Sequence, residues 1–503
     1  MTTCADNRFS WEMTKPGRWE RDIDEVEEFY TSLAKSYEGT GRVFFAMTGF
    51  ISFSVPVQPC TPFHETEKKV EEALKTAWTR IRFDHPTIAS RVQYDSVQQK
   101  YKKIYETFTD SASQRLWLND TFRVVPERMS GLDWCNSDPP VPALPTLFLV
   151  RPPATNDQDF RADLVLRSHH DIIDGMGTLL LFNNLFSLAA EAYEQPDHRL
   201  PGFGDEWSNL SPPLRLAARI PATLSPVLEE NVRGIVEHNA SLKEGIEIAS
   251  PPFQREVAVP RKHQRVAVTL SEDTTARLLE KCRSLGLSIT HAYHAAIALA
   301  IGALQERQES ERTVRYISYC LINERHHCKP PYSTQAHPVS VYHSVSGRCL
   351  NIDLTVPALR SSETTATHQD KFTAIAQKVR DYYLEIRDDE EHIKLVPAYW
   401  AMSISPYPGP EPPAIPARNE TPSVSVSSMG VLDKIIRHTY GSFSVDNPWV
   451  TGEELGTGLG VFLDTWKGRL TLSAAYNDAW HGREEVLDFL NRCNDFAFQR
   501  LGV

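Results

Sequence analysis

The chain has 503 residues, 41% of them hydrophobic and 23% charged, with a formal net charge of −12. That length exceeds one ordinary hydrophobic core, so two domains are expected, and the composition is that of a globular protein rather than a disordered one. The acidic balance argues against nucleic acid or an anionic membrane as a partner, because phosphate binding needs a basic face.

Residues 1–40 are polar, with Trp11, Trp19, Phe29 and Tyr30 interspersed, and read as an N-terminal arm packed on the body. Val43 to Val55 is rich in β-formers and reads as a strand. Val70, Ala73, Leu74, Ala77, Trp78 and Ile81 recur at helical spacing, with Lys68, Lys69, Glu71, Glu72 and Lys75 on the opposite face. Pro86 ends that helix, and His85 beside it reads as structural. Ala89–Tyr94 and Lys100–Glu106 suggest a hairpin, and Asn136–Pro145 is a proline-broken loop. Thr146–Val150 and Asp163–Arg167 read as neighbouring strands.

The second of these strands delivers Ser168-His169-His170-Asp171-Ile172-Ile173-Asp174-Gly175-Met176-Gly177, and Thr178 to Phe186 then reads as a buried helix. A histidine on a strand-to-helix corner is held rigidly yet can face a cleft. Neutral imidazole there can take a proton from an alcohol near neutral pH. Asp174, across the turn, reads as an anchor paired with an arginine rather than as a partner of His170. Gly175 and Gly177 leave room for backbone bends or for a ligand. The bland alternative is a polar surface turn, but the doubled histidine, the glycine and the strand-before, helix-after context make the pattern far more specific.

Residues 196–260 are broken by prolines and read as a crossover between two halves, with a helix near Pro226–His238. The second half opens with a strand, Gln264–Leu270. Ser271 then caps a helix to Ser284, with Gly286 just past its end, and Ser288 caps an Ala-rich buried helix from Ile289 to Leu304. His291 and His294 lie on that helix; lacking an adjoining carboxylate, they read as structural rather than as a metal pair. Arg315 to Arg325 reads as a strand with a polar end. His326-His327-Cys328 cannot easily turn three adjacent ligands to one ion, so no metal is expected. Thr364–Ile386 is an amphipathic helix, and Ser405–Pro422, with seven prolines, a loop. Ser423–Gly430, Tyr440–Val445 and Leu470–Tyr476 read as strands, and Glu484–Leu501 as the last helix.

The eight cysteines are scattered without short paired spacing, which fits free thiols in a reducing, cytoplasmic setting. Met1 to Trp11 has no apolar run, so no signal peptide is expected, and no apolar stretch reaches membrane-spanning length. No Gly-x-Ser-x-Gly elbow, phosphate loop or strand-linked Gly-x-Gly-x-x-Gly appears.

His169-His170-x-x-x-Asp174-Gly175 resembles the active-site motif of the superfamily of chloramphenicol acetyltransferase, the plant BAHD acyltransferases and peptide-synthetase condensation domains. Within it the chain is most similar to fungal O-acetyltransferases of secondary metabolism, of the trichothecene 15-O-acetyltransferase kind. Ala73 to Pro86 resembles the family's first helix, and Leu470 to Ala479 its last core strand. The likeness covers about residues 20 to 500. The Asp-Phe-Gly-Trp-Gly motif of the plant enzymes is missing; the nearest stretch is Tyr440 to Trp449.

The resemblance implies an α/β fold of two chloramphenicol-acetyltransferase-like lobes, each a mixed sheet with flanking helices, around an active-site channel. Residues 1–200 would form the lobe carrying the motif, 201–260 the linker and 261–503 the second lobe. It implies transfer of an acyl group, from acetyl-CoA or another acyl-CoA, to a hydroxyl of a fungal secondary metabolite such as a trichothecene-type sesquiterpenoid. His170 would be the general base, Asp174, Gly175 and Arg325 would shape the site, and Arg325 would pair with Asp174. Ser427, Ser428, Ser442 and Ser444 are weak candidates to donate to the developing oxyanion. The CoA is a co-substrate and no cofactor is held. The expected partners are the small alcohol and the acyl-CoA, with no nucleic acid or membrane, and the chain is expected to be monomeric. The alternative is a condensation-type enzyme fed by a carrier-protein thioester.

Overall fold

A computed structural model describes residues 7–503 except 60, 154–157, 196–199, 255–256, 258, 362–364 and 406–413. Much of the proline-rich loop expected at Ser405–Pro422 therefore lies outside the described residues. Two mixed assemblies of sheet and helix make up the chain, one built mainly from each half, as the α/β two-lobed expectation requires.

The first assembly centres on a six-stranded mixed sheet. In spatial order its strands are Thr439–Tyr440, Phe443–Gly452, Met47–Pro56, Asp159–Ser168, Thr146–Arg151 and Phe122–Arg128. The motif strand, Asp159–Ser168, is central, with antiparallel neighbours on both sides and a continuous buried run from Ala162 to Ser168. The helices Phe63–Asp84 and Gly175–Glu194 pack on each other and on this sheet. On the first, Val70, Leu74, Trp78 and Ile81 are fully buried, each worth roughly 1.5–3 kcal/mol against exposure. The Trp78 indole donates to Thr121 Oγ1 at 3.0 Å, so its one polar atom is satisfied.

The second assembly stacks the helices Glu272–Ser284, Ile289–Ala303, Thr365–Arg387 and Arg483–Leu501 on a four-stranded sheet. The order there is His263–Thr269, Arg469–Asn477, Leu459–Trp466 and Val424–Val431. A three-stranded sheet of Leu350–Val356, Arg312–Ser318 and Glu247–Ile248 adjoins it. Ser271 and Ser288 cap their helices as expected, accepting from Thr274 N and His291 N, and Gly286 adopts a left-handed φ of 66° past the first. The linker helix runs from Pro226 to Ser241.

Three expectations need correction. The first strand starts at Met47, not Val43, because the chain turns at Phe45, whose φ is 56°. Arg315–Arg325 is not one strand: it breaks after Ser318, resumes at Leu321–Asn323, and ends in a single 3-10 turn that carries Arg325. The division at residue 261 is not followed by the sheets. Phe443–Gly452 pairs with Met47–Pro56, and its Phe443, Val445 and Val450 are buried in the first core. An apolar ribbon of this kind belongs to the core that covers it, whatever its place in the sequence.

The N-terminal arm is also more regular than its polarity suggests. Glu12–Lys15 and Arg18–Asp22 extend the hairpin of Arg91–Asp95 and Lys100–Glu106 into a four-stranded sheet. Glu25–Lys35 is a helix opened by a capping box between Asp24 and Glu27. Among the described residues no single helix is long and apolar enough to cross a membrane.

Candidate active site

The motif strand ends at Ser168, and Asp174 caps the helix that follows, its Oδ1 accepting from Gly177 N at 2.7 Å. The turn between them is clamped from the N-terminal layer. Thr31 donates to Asp171 Oδ2 at 2.8 Å, and the buried Lys103 ammonium reaches the Asp171 carbonyl at 2.6 Å. Lys103 is itself paired with Glu27 at 2.5 Å.

Asp174 is saturated. Besides Gly177 it takes Arg325 Nη1 at 2.9 Å and Tyr342 N at 2.8 Å, both on Oδ2. The Arg325 pairing is the one that the resemblance implies. Burial works against the Asp174 charge, but the Arg325 guanidinium and these hydrogen bonds more than offset it, so the carboxyl titrates below its ordinary range. Gly177 is required by space: a Cβ there would sit 2.2 Å from the Pro338 carbonyl oxygen and 3.0 Å from Arg325 Nη2.

His170 stands at the corner and faces a cavity of about 450 Å³. Both halves line it: Tyr30, Phe45 and Gly175 on one side, Tyr319, Trp400 and Phe462 on the other. The Tyr30 ring lies parallel to the His170 imidazole with centroids 3.7 Å apart. His170 Nδ1 is buried and has no partner of normal hydrogen-bonding geometry. Burial, aided by the neighbouring His343, pushes the imidazole pKa down to about 3, against weaker opposite pulls from its own carbonyl and Asp174. The ring is therefore neutral near pH 7, with a lone pair free to accept.

Gly175 lines the cavity, and a Cβ there would stop 3.3 Å from Val450 Cγ2. Of the serine candidates, Ser427 and Ser428 line the cavity, whereas Ser442 and Ser444 do not. Ser428 Oγ is already 2.8 Å from Thr290 Oγ1. Glu454, on the segment that carries the chain from one sheet to the other, also lines the wall. Burial pushes its carboxyl up to about 7, and Gly456 N donates to it at 2.8 Å.

Several other histidines are otherwise engaged. Glu324, His326 and His327 place ligand atoms within 4.8 Å of one another. Glu324, however, already takes His327 Nδ1 at 2.7 Å, His392 Nε2 at 3.2 Å and the Ser344 hydroxyl. This set braces the turn that holds Arg325. His294 is buried between the Tyr316 and Tyr383 hydroxyls, at 2.9 and 3.2 Å, and His85 lies 3.1 Å from Asn184 Nδ2.

Among the wall residues that sequence reasoning missed are Tyr30 and His343, which flank the candidate base. His343 sits on the short strand His343–Val345, one residue after the amide that binds Asp174, with its ring 5.4 Å from that of His170. No local pattern marks it: Val339 to Tyr342, which precede it, are all buried rather than alternating.

No family model matches the chain. Among solved structures, the trichothecene 15-O-acetyltransferase of Fusarium sporotrichioides superposes with a TM-score of 0.80 at 18% identity, covering 99% of this chain and 100% of that one. A condensation domain of the calcium-dependent antibiotic synthetase gives 0.63 at 13% identity, covering 96% of each chain. These likenesses define the two-lobed chloramphenicol-acetyltransferase-like fold.

In sequence, the chain is 23% identical over 504 residues to the acetyltransferase pigO of Monascus ruber, covering 98% of each. It is 24% identical over 490 residues to the O-acetyltransferase pigM of the same fungus, covering 94% of this chain and 83% of the relative. The Fusarium enzyme is 23% identical over 467 residues, covering 86% of each. The chain thus has a two-lobed chloramphenicol-acetyltransferase-like fold, and its near-full-length kinship with named acetyltransferases makes it an acyltransferase.

Proposed function

We propose that the chain transfers an acetyl group from acetyl-CoA to a hydroxyl of an oxygenated, largely apolar fungal secondary metabolite. A trichothecene-type sesquiterpenoid is the model acceptor, and His170 is the general base. The observation that carries this reading is the His170 ring: neutral, stacked on Tyr30, and turned to a cavity that both lobes line. Nε2 takes the hydroxyl proton as the oxygen attacks the thioester carbonyl. The carbon–sulfur bond then breaks, and the proton passes to the departing thiolate. Thiolate leaves readily, so no acyl-enzyme is needed; the protein supplies alignment of the two substrates. Asp174 acts through position, since Gly177, Arg325 and Tyr342 occupy its oxygens.

The aromatic and aliphatic wall, with Phe45, Val450, Trp400 and Phe462, suits a terpenoid or polyketide skeleton better than a sugar. The test is release of free thiol from purified protein given acetyl-CoA and a trichothecene alcohol. Thiol release together with an acetylated product is the expected result. Turnover only with carrier-bound acyl groups would move the donor to a carrier protein.

A further inference from the structure

His343 lines the same cavity as His170 and has no role in the proton transfer described above. Its ring is tilted 49° to that of His170. Tyr30 and Trp400 hold it, with ring centroids at 5.5 and 5.7 Å. Its Nε2 is buried and, among the described residues, meets no hydrogen-bonding partner. A buried polar atom left unsatisfied is costly, and such atoms concentrate where a ligand completes them.

The ring's placement is also well fixed. The strand that carries it pairs with Leu321–Asn323, and the preceding residue, Tyr342, gives its amide to Asp174. One carboxylate thus sets the His170 corner and the His343 strand relative to each other.

Resting on the reading of His170 as base, we propose that His343 is a positioning residue of the acceptor subsite. It binds a second oxygen of the acceptor, on a carbon next or next-but-one to the one bearing the reacting hydroxyl. With the two ring centroids 5.4 Å apart, two oxygens each bonded at roughly 2.9 Å to one of these rings can belong to neighbouring carbons of one acceptor. That spacing suits a vicinal or 1,3-related pair and disfavours a lone hydroxyl. The enzyme's acceptors are then diols or hydroxy ethers and ketones, and the selection is made by a neutral imidazole rather than by a charged group.

The test is a binding cycle that needs no turnover. Affinities of the full-length protein for cyclohexanol and for cyclohexane-1,2-diol are measured by ligand-observed NMR, in the native protein and in His343→Phe and His343→Asn. One neutral hydrogen bond predicts that the diol gains about fivefold over the mono-alcohol in the native protein. Phe should erase that gain, and Asn, which keeps a donor and an acceptor, should keep part of it. Equal affinity of the native protein for the two probes, or an undiminished preference in His343→Phe, overturns the proposal. The base assignment is read separately, from thiol release by His170→Ala. Full release there defeats the base reading, whereas the binding cycle alone decides whether His343 takes the second oxygen.

Discussion

The phenol of Tyr30 lies flat against the imidazole of His170, planes parallel and centroids 3.7 Å apart. Tyr30 belongs to a helix 140 residues upstream of the motif turn, and the neighbouring Thr31 donates to Asp171 in that turn at 2.8 Å. A layer that the sequence presents as a polar arm therefore sets the plane of the candidate base. Tyr30→Phe should keep the stack and most of the activity. Tyr30→Leu should lose about two- to tenfold in kcat/KM, since an aromatic pair of this kind is worth about 0.5–1.5 kcal/mol. Steady-state kinetics on both variants checks this, and equal rates for Phe and Leu would remove the ring-orienting role.

His170→Ala should lower turnover by about 100- to 10,000-fold, the usual contribution of a positioned general base. Because the ring fills part of a cavity rather than a core, the thermal midpoint should stay near that of the native protein. A native-like rate would refute the assignment.

The same imidazole fixes an expectation for pH. Burial, with help from His343, lowers its pKa to about 3 from the ordinary 6.5. A lowered pKa means that the proton is already off at any pH above that value, so the base stays available as pH falls through 6.5. The acid side of the kcat/KM profile, which reports the free enzyme, should stay flat there and fall only at more acidic pH. An acid limb centred at 6.5 would show the ring to be far better solvated than its neighbours allow.

Asp174→Asn removes the charge opposite a buried Arg325 and should cost about 3–5 kcal/mol, the usual penalty for breaking such a pair. Denaturant unfolding reads it directly. The native carboxyl titrates below its ordinary 3.8. Its stabilisation is therefore complete above that value and fades as pH drops through the lower folded-state pKa. The gap between native protein and variant should accordingly close in strong acid. Loss of activity with unchanged stability would instead make Asp174 a chemical participant.

The two motif glycines should separate stability from binding. Gly177→Ala forces a Cβ to 2.2 Å from a backbone carbonyl oxygen and should reduce folded yield severely. Gly175→Ala meets only Val450 at 3.3 Å and Met429 at 3.5 Å, at the cavity wall. It should fold normally and raise the acceptor KM. Equal thermal midpoints for the two variants would contradict the geometry.

The motif corner, the helix from Phe63 and the capped helices after Ser271 and Ser288 were legible because each is encoded locally: a periodicity, a cap, a turn. The Arg325–Asp174 pairing could be anticipated only through family resemblance, since 151 residues separate the two. Tyr30 and His343 escaped for the same physical reason. Neither has a local signature of function, and each matters only because the fold brings it to an imidazole it does not neighbour in sequence. Phe443–Gly452 read correctly as containing a strand, but nothing in its residues says which sheet it joins.

That strand makes the halves mutually dependent. Separate expression of residues 1–260 would leave one edge of the six-stranded sheet bare beside Met47–Pro56, while the complementary fragment would carry the missing apolar ribbon with nothing to cover it. Neither piece is a self-sufficient folding unit, and an exposed edge of that kind invites aggregation. Mixing the two fragments should restore solubility through strand complementation.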